Sequence, residues 1–430
     1  MRSMGFLGLR EFFKASNPLR ARGELIYGAA RAIKEAEPRP VLVETENGVI
    51  ASNVFSTRTV VYNVLGARAD EEAYINMLNA LSRPKPPRVV KLHSLKRRGD
   101  DLYSLPIPKF YEKDAGRYIT AGIFLARDED TGYVNASIHR ALVIGENKLA
   151  VRVVPRHLYK ILSKSESRGK DLEAVILIGA PLPLYLAAAS SPPFGVSEIE
   201  VAAALSGNLE ATYDIASGIP VPLPTEIAIR GYFIAGARAK EGPFVDITGT
   251  YDETREQPVF KVEEIWSMSD PLFYAILPAG MEHVNLMGFP REASIWDTAR
   301  RTAPGVKKVR LTRGGAGWLH AVIVMEKMKE GDPKNVLMAA FAAHPSLKMA
   351  IAVDPDINPD DPVEVEWALA TRMQPLEDIF IVPNARGSSL DPSADQKRLL
   401  TSKIGIDATK PLEKPPHLFE KAKIPPPKHG

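Results

Sequence analysis

The sequence predicts an α+β protein built of three consecutive blocks, and three observations point that way. Short apolar strands with period-two alternation recur between helical stretches. Proline clusters and turn residues divide these stretches into groups. At 430 residues the chain is too long for one small core. The first block, 1–105, mixes helix and strand. Its opening amphipathic helix should stop at Asn17-Pro18, because a residue preceding proline is pushed out of the helical region. Pro40-Val41-Leu42-Val43-Glu44 reads as a half-buried strand, and Pro84, Pro86 and Pro87 mark a connector. The second block, 106–300, begins with β-rich alternation at Tyr118-Ile119-Thr120 and Val151-Arg152-Val153-Val154. Inside it, Ala174-Val175-Ile176-Leu177-Ile178 reads as a buried strand that leads into a helix through Leu184 to Ala189. A second helix is expected near Val196 to Ala204, with Ser197 as its cap. Strands return after Pro222, around Glu226 to Ile234 and Val259 to Ile265. The third block, 301–412, alternates strands such as Lys348 to Val353 with helices, and the proline-rich tail 413–430 is expected to be extended.

Composition removes several function classes. An apolar fraction of 45% with 25% charged residues is that of an ordinary soluble globular protein. The net charge of +3 gives no broad electropositive surface for nucleic acid, and Lys96-Arg97-Arg98 reads as a solvated surface strand or loop. The absence of cysteine excludes disulfides, thiolate zinc sites, iron–sulfur clusters and cysteine nucleophiles. The longest nearly apolar run, Ala174 to Ala189, spans 16 residues and is broken by Pro181 and Pro183, so no membrane span is expected. No long apolar segment follows the N-terminus, which makes the cytoplasm the expected location.

Familiar motifs fail on inspection. Gly314-Gly315-Ala316-Gly317 has Leu319-His320 where a dinucleotide loop needs its third glycine, so it reads as a turn between elements. Asp354-Pro355-Asp356-Ile357-Asn358 starts like a calcium loop, but Pro359 and Val365 occupy the positions that need glycine and glutamate. Asn135-Ala136-Ser137 is formally a glycosylation sequon, which means little without secretion. One motif asks for an explanation: Glu241-Gly242-Pro243-Phe244-Val245-Asp246. It is either a surface loop with two solvated acids or a rigid loop presenting both acids to a pocket. Paired carboxylates in a poorly solvated site repel, which lets one of them keep a proton to donate. Composition and spacing do not choose between the two readings.

Further ordered pieces accompany that motif. They are Gly116-Arg117-Tyr118-Ile119-Thr120, Asn135-Ala136-Ser137-Ile138-His139-Arg140, Pro155-Arg156-His157 and Gly195-Val196-Ser197-Glu198. Asp391-Pro392-Ser393 and Lys403 to Thr409 follow near the C-terminus. Together, from Tyr118 to Tyr251 with a looser tail to Thr409, they resemble the UbiD family of decarboxylases, which use prenylated FMN. The resemblance implies a split β-barrel flavin domain with an α/β insertion. An N-terminal α/β region and a C-terminal α/β oligomerisation domain would flank it. It implies non-oxidative decarboxylation of an α,β-unsaturated acid, with the modified flavin as electron sink.

The resemblance also implies roles for single residues. Asn135, His157 and Glu198 match ligands of a divalent metal, usually manganese, that ties the cofactor phosphate to the protein. Potassium is a further candidate cation. Thr120, Ser137, Ile138, His139, Arg140, Arg152, Arg156, His157 and Ser190 would line the cofactor. Arg140, Glu241 and Asp246 match the catalytic trio. Arg140 would bind the substrate carboxylate in a fork, Glu241 would hold Arg140, and Asp246 would deliver the proton that replaces CO2. Departures exist: Val245 stands where glycine is common, Asp246 where some branches have glutamate, and Gly249-Thr250-Tyr251 where Gly-Tyr-Tyr is usual. His139 occupies a position that commonly carries a smaller or an aromatic residue, and its imidazole would suit a polar or anionic substrate. The overall look is that of archaeal members acting on a phosphorylated anhydromevalonate in a modified mevalonate route. The alternatives are a 4-hydroxy-3-polyprenylbenzoate or other aromatic-acid decarboxylase and, in another class, a non-catalytic flavin- and metal-binding scaffold. A flavin prenyltransferase would supply the cofactor, and a homodimer or higher homo-oligomer is expected.

Overall fold

The computed structural model describes residues 7–91, 94–216, 218–422 and 424. The chain forms two compact units, Met1–Pro290 and Arg291–Gly430, and the boundary falls inside the helix Met281–Thr302.

The first unit is organised by an antiparallel nine-stranded sheet. Its strands run in the order Tyr118–Ile119, Ala141–Gly145, Lys148–Val151, Arg255–Ser267, Ile227–Glu241, Leu172–Ile178, Ile123–Arg127 and Val134–Ile138. Lys96–Gly99 pairs beside this path with Arg255–Ser267 and is exposed along its length, which is where a basic surface strand belongs. Among the described residues the sheet is open, and its ends do not pair with each other. The apolar run at 174–189 finds its explanation here. Leu172–Ile178 is an interior strand between Ile123–Arg127 and Ile227–Glu241, and its residues from Ala174 to Ile178 are wholly buried. The chain then turns at Pro181 into the helix Leu182–Ser190, with Pro183 in the first turn where no amide donor is needed. That helix is apolar on all sides because it is buried on nearly all sides.

Two expectations shift locally. The strand expected over 151–154 ends at Val151, because the next residues spend their backbone elsewhere. Arg152 donates its amide to the Arg140 carbonyl at 3.1 Å, and Val153 donates to Gln257 Oε1 at 2.9 Å. Ser197 does sit at the N-cap of the helix Glu198–Ser206, yet its hydroxyl donates to the Val134 carbonyl at 2.8 Å and caps nothing. It ties the helix to the strand Val134–Ile138 instead.

The second unit holds a five-stranded sheet in the order Val306–Leu311, His320–Met325, Met349–Val353, Leu400–Ala408 and Ile379–Arg386. Its central pairs are parallel and its outer pairs antiparallel. Residues 313–319 form the turn between the first two strands. The acids of the calcium-like stretch are taken up by cations of the chain: Arg372 reaches Asp354 at 2.7 Å and Asp356 at 2.8 Å, and Lys410 reaches Asp356 at 2.9 Å. Among the described residues no helix is long and apolar enough to cross a membrane.

Candidate active site

Glu241 is the last residue of the strand Ile227–Glu241 and is fully buried. Gly242 then turns the chain at φ 95°, a conformation that side chains rarely adopt. A Cβ there would lie 2.8 Å from the Glu253 carbonyl oxygen. Phe244–Val245 pairs with Tyr251–Asp252 as a short antiparallel ribbon, with Phe244 opposite Asp252. Asp246 opens the connecting turn. Its Oδ1 accepts from the Ile247 amide at 2.7 Å, which leaves Oδ2 to face inward.

Arg140 lies just beyond the strand Val134–Ile138, and its guanidinium gathers three acids. Nε and Nη2 donate to the two oxygens of Glu241 at 2.9 and 3.0 Å, a bidentate fork. Nη1 donates to Asp246 Oδ2 at 3.1 Å, and Nη2 donates also to Asp252 Oδ2 at 2.9 Å. Burial alone would lower the guanidinium pKa, but Glu241, Asp246 and Asp252 together hold it above its ordinary value. The Tyr118 hydroxyl donates to Glu241 Oε1 at 3.1 Å and accepts from the Gly242 amide. Burial, with Glu241 beside it, keeps that phenol protonated. Phe244 packs on Tyr118 at 4.1 Å and lies under Arg140 at 5.0 Å, closing the cluster on its apolar side. Burial lowers the pKa of His283 against the opposing pull of Asp246, so a neutral imidazole borders the same acid.

A second cluster forms around Glu198, which is 1% exposed. Its Oε2 accepts from the Ala136 amide at 2.8 Å. Its Oε1 faces Asn135 Nδ2 at 3.1 Å and His157 Nδ1 at 3.8 Å. The sequence-expected trio therefore comes together from one strand and two helix starts. Among the described residues no three His, Asp or Glu side chains gather as a metal site, so the third member of this set has to be the amide.

Hydrogen-bond accounting tests whether the trio fits a cation. Burial lowers the His139 pKa to about 4, so the ring is neutral. Its Nδ1 is 2.9 Å from the Arg152 carbonyl, which can only accept, so Nδ1 carries the hydrogen and Nε2 accepts. Ser137 Oγ lies 2.8 Å from that Nε2 and 3.0 Å from Asn135 Oδ1, with one hydrogen for two acceptors. Turning the Asn135 amide over removes the conflict, and the two orientations have the same shape. The amide oxygen then faces the Glu198 carboxylate, and two acceptors turned on each other are satisfied by a cation. No Lys or Arg among the described residues is within ion-pair distance of Glu198, so the donor set fits a divalent metal.

The remaining cofactor candidates divide. Ser137 and His139 join the two clusters, and Arg152 stands 3.5 Å from Asp252 at the edge of the first. Arg156 precedes His157 and reaches Ser191 Oγ at 3.4 Å. Ile138 ends its strand opposite Ile123. Thr120 accepts from the Ile276 amide at 3.0 Å and Ser190 donates to the Ala187 carbonyl at 2.6 Å, so neither hydroxyl bonds to either cluster. Sequence reasoning missed Asp252 as a partner of Arg140 and Tyr118 as a partner of Glu241. The signal for the first was a hairpin pattern, with Gly249 in the turn returning an acid opposite Phe244.

A family model described as the Rift-related domain of 3-octaprenyl-4-hydroxybenzoate carboxy-lyase, UbiD, matches residues 83–281. The model of the C-terminal domain of the same carboxy-lyase matches 284–408. An anhydromevalonate phosphate decarboxylase of Aeropyrum pernix is 45% identical over 90% of this chain and 89% of that protein. The chain belongs to the UbiD family. A protein of the same name from Methanocaldococcus jannaschii is 41% identical over 97% of this chain and its own full length. Among solved structures, an evolved dimeric form of the UbiD-class enzyme HmfF from Pelotomaculum thermopropionicum, in complex with prFMN, superposes with a TM-score of 0.89. It is 33% identical and covers 97% of each chain. The mixed α/β fold is thus that of UbiD-class enzymes, and the Arg140 cluster lies inside the part of the chain matched by the first family model.

Proposed function

We propose that this UbiD-family chain is a non-oxidative carboxy-lyase that decarboxylates trans-anhydromevalonate 5-phosphate in an archaeal mevalonate route of isoprenoid synthesis. Prenylated FMN and a divalent cation, manganese by preference, would be its cofactors, with potassium as a further cation. The observation that carries this reading is the Arg140 guanidinium held by Glu241, Asp246 and Asp252. The names of the archaeal relatives direct the choice of substrate. Asn135, His157 and Glu198 would hold the cation. Ser137, Ile138, His139, Arg152, Arg156, Thr120 and Ser190 would border the flavin, which supplies an electron sink when bound.

The chain's own residues do the rest. Arginine has five N–H donors. Glu241 takes two from Arg140, Asp252 one and Asp246 one, which leaves a single Nη1 donor. A substrate carboxylate that takes both Nη1 donors displaces Asp246. Arg140 then orients the departing group, and the C–C bond breaks with its electron pair left on the substrate carbon. Released from Arg140, Asp246 takes a proton from solvent, its side chain being 24% exposed against 0% for Glu241, and its Oδ2 then gives that proton to the carbon that lost CO2. Glu241, locked by Arg140 and Tyr118, keeps the fork in place.

The same reading makes the open nine-stranded sheet the split-barrel flavin domain, in the block 106–300 with its α/β insertion. Residues 1–105 are then the N-terminal α/β region, 301–412 the oligomerisation domain and 413–430 a tail. A cytoplasmic enzyme, at least dimeric, with its flavin supplied by a prenyltransferase, completes the proposal. A monomer by light scattering at micromolar concentration would count against the assembly. The deciding experiment co-expresses the chain with a flavin prenyltransferase and measures CO2 release from trans-anhydromevalonate 5-phosphate beside a panel of aromatic acids. Release from the phosphorylated acid is expected. Release from an aromatic acid alone would replace the substrate, and release from none would leave a binding scaffold.

A further inference from the structure

We propose that Asp252 is a positioning residue of this site, which keeps Arg140 oriented and charge-balanced while Asp246 is released from it. The inference rests on the decarboxylase reading above and adds a fourth side chain to the Arg140–Glu241–Asp246 set.

The ribbon register places Asp252 across from Phe244, so the chain returns to Arg140 from the far side of the turn that carries Asp246. Its two oxygens are divided. Oδ2 accepts from Arg140 Nη2 at 2.9 Å and faces Arg152 Nε at 3.5 Å, while Oδ1 takes the Arg255 guanidinium and the Glu253 amide. Asp252 is therefore in contact with three arginines, and it is 13% exposed. Burial would raise its pKa, but the hydrogen bond from Arg255 and the charges of Arg140, Arg255 and Arg152 outweigh that and hold it below the usual carboxylate range. It stays an anion throughout turnover.

That constancy matters when Asp246 lets go. Arg140, Arg152 and Arg255 then face Glu241 and Asp252 within the site, with Glu253 on Arg255 exposed to solvent, and the substrate carboxylate replaces the negative charge that Asp246 withdraws. Both Nη2 donors remain engaged by Glu241 and Asp252, so the guanidinium cannot swing after Asp246, and its Nη1 edge stays turned to the substrate. Without the Asp252 charge, Arg140 keeps a stronger hold on Asp246, and the proton donor is freed less often. The substrate carboxylate, entering a more positive site, binds no more weakly. The effect belongs in kcat and not in KM.

The test measures kcat and KM per flavin-loaded site for wild type, Asp252→Asn and Asp252→Glu, using the holoenzyme. Expected are a loss of at least about tenfold in kcat for Asn with KM unchanged or lower, and a partial recovery with Glu, as for a group that orients a catalytic one. A merely structural role would reduce the yield of loaded protein and leave kcat per site alone. A kcat for Asn within threefold of wild type, a loss confined to KM, or a Glu variant no better than Asn overturns the proposal. If the Asn variant does not accumulate as folded protein, Arg255→Met carries the test by loosening Asp252 from its other side. Its kcat should fall with KM unchanged, and a wild-type kcat overturns the proposal. Absence of CO2 release by the wild type is a separate result, which rejects the function and not the geometry.

Discussion

Two buried carboxylates stand in this site, and the chain treats them differently. Glu241, fully buried, is met by a guanidinium fork, a phenol and the charge of a cluster closed on itself. Glu198, 1% exposed, is met by one backbone amide, a side-chain amide, an imidazole and the Tyr133 phenol, and by no guanidinium or ammonium among the described residues. Moving a carboxylate out of water costs several kcal/mol unless an opposite charge compensates it. The first cluster is therefore complete within the chain, while the second would reach balance with the proposed cation. On that reading the difference separates a part of the site that folding builds from a part that loading would build.

The largest effect that would break this contrast comes from Arg140→Met. It strands Glu241 and should cost about 3–5 kcal/mol, as removal of one partner of a buried pair does, and should abolish CO2 release. Urea denaturation of the unloaded protein reads the first number, and a stability equal to wild type would mean that Glu241 does not depend on the fork. Next in size is acid sensitivity at His139, which lies between the clusters. Its pKa in the fold is about 4 against an ordinary 6.5, so the unfolded chain binds the proton first as pH falls. Stability is whole above about pH 6.5 and declines toward pH 4, by up to about 3 kcal/mol. His139→Asn should flatten that decline in a series of melts, and an unaltered slope would assign it to other groups.

Asp246→Asn keeps shape and nearly volume while removing the proton. Turnover should fall about a hundredfold, as for a positioned general acid, with melting temperature and flavin content close to wild type. In deuterated water the wild type should place one deuterium on the carbon that lost CO2. Near-normal turnover in the Asn variant would pass the donor role to Glu241. The smallest effect, and the one that sharpens the contrast, is Glu198→Gln in metal-stripped protein. Stability there should stay within about 1 kcal/mol of wild type, since the amide keeps the bond from Ala136 and sheds an uncompensated charge. Chelation should lower the melting temperature of loaded wild type and not of the variant. An equal response of both would take Glu198 out of the cation site.

What the sequence made legible follows the range of the forces involved. The buried strand at 174–178 and the following helix could be read because continuous burial imposes a continuous apolar run. The Glu241–Asp246 motif could be seen because a Gly-Pro turn interrupts every regular period, but its pairing with Arg140 spans about a hundred residues, and only the family resemblance pointed to it. Asp252 escaped because its role depends on a two-residue ribbon whose register no alternation encodes. Arg152 was read inside a strand over 151–154, whereas its backbone serves Arg140 and His139 and so lies beyond the strand. Ser197 was recognised at its position and misjudged in its bond, since a hydroxyl chooses between local amide and distant carbonyl only after the helix has docked.

Gly242 sets a rule for anyone redesigning this enzyme for another acid. The 2.8 Å approach of an imagined Cβ to the Glu253 carbonyl means that the two backbone arms touch where they bring Asp246 and Asp252 to one guanidinium. A mutagenic library that varies position 242 should return inactive clones almost without exception, because even alanine parts the arms and releases both acids together. Val245, whose side chain is packed but carries no charge of the cluster, is the better place to spend diversity. Variation placed there leaves the pivot alone.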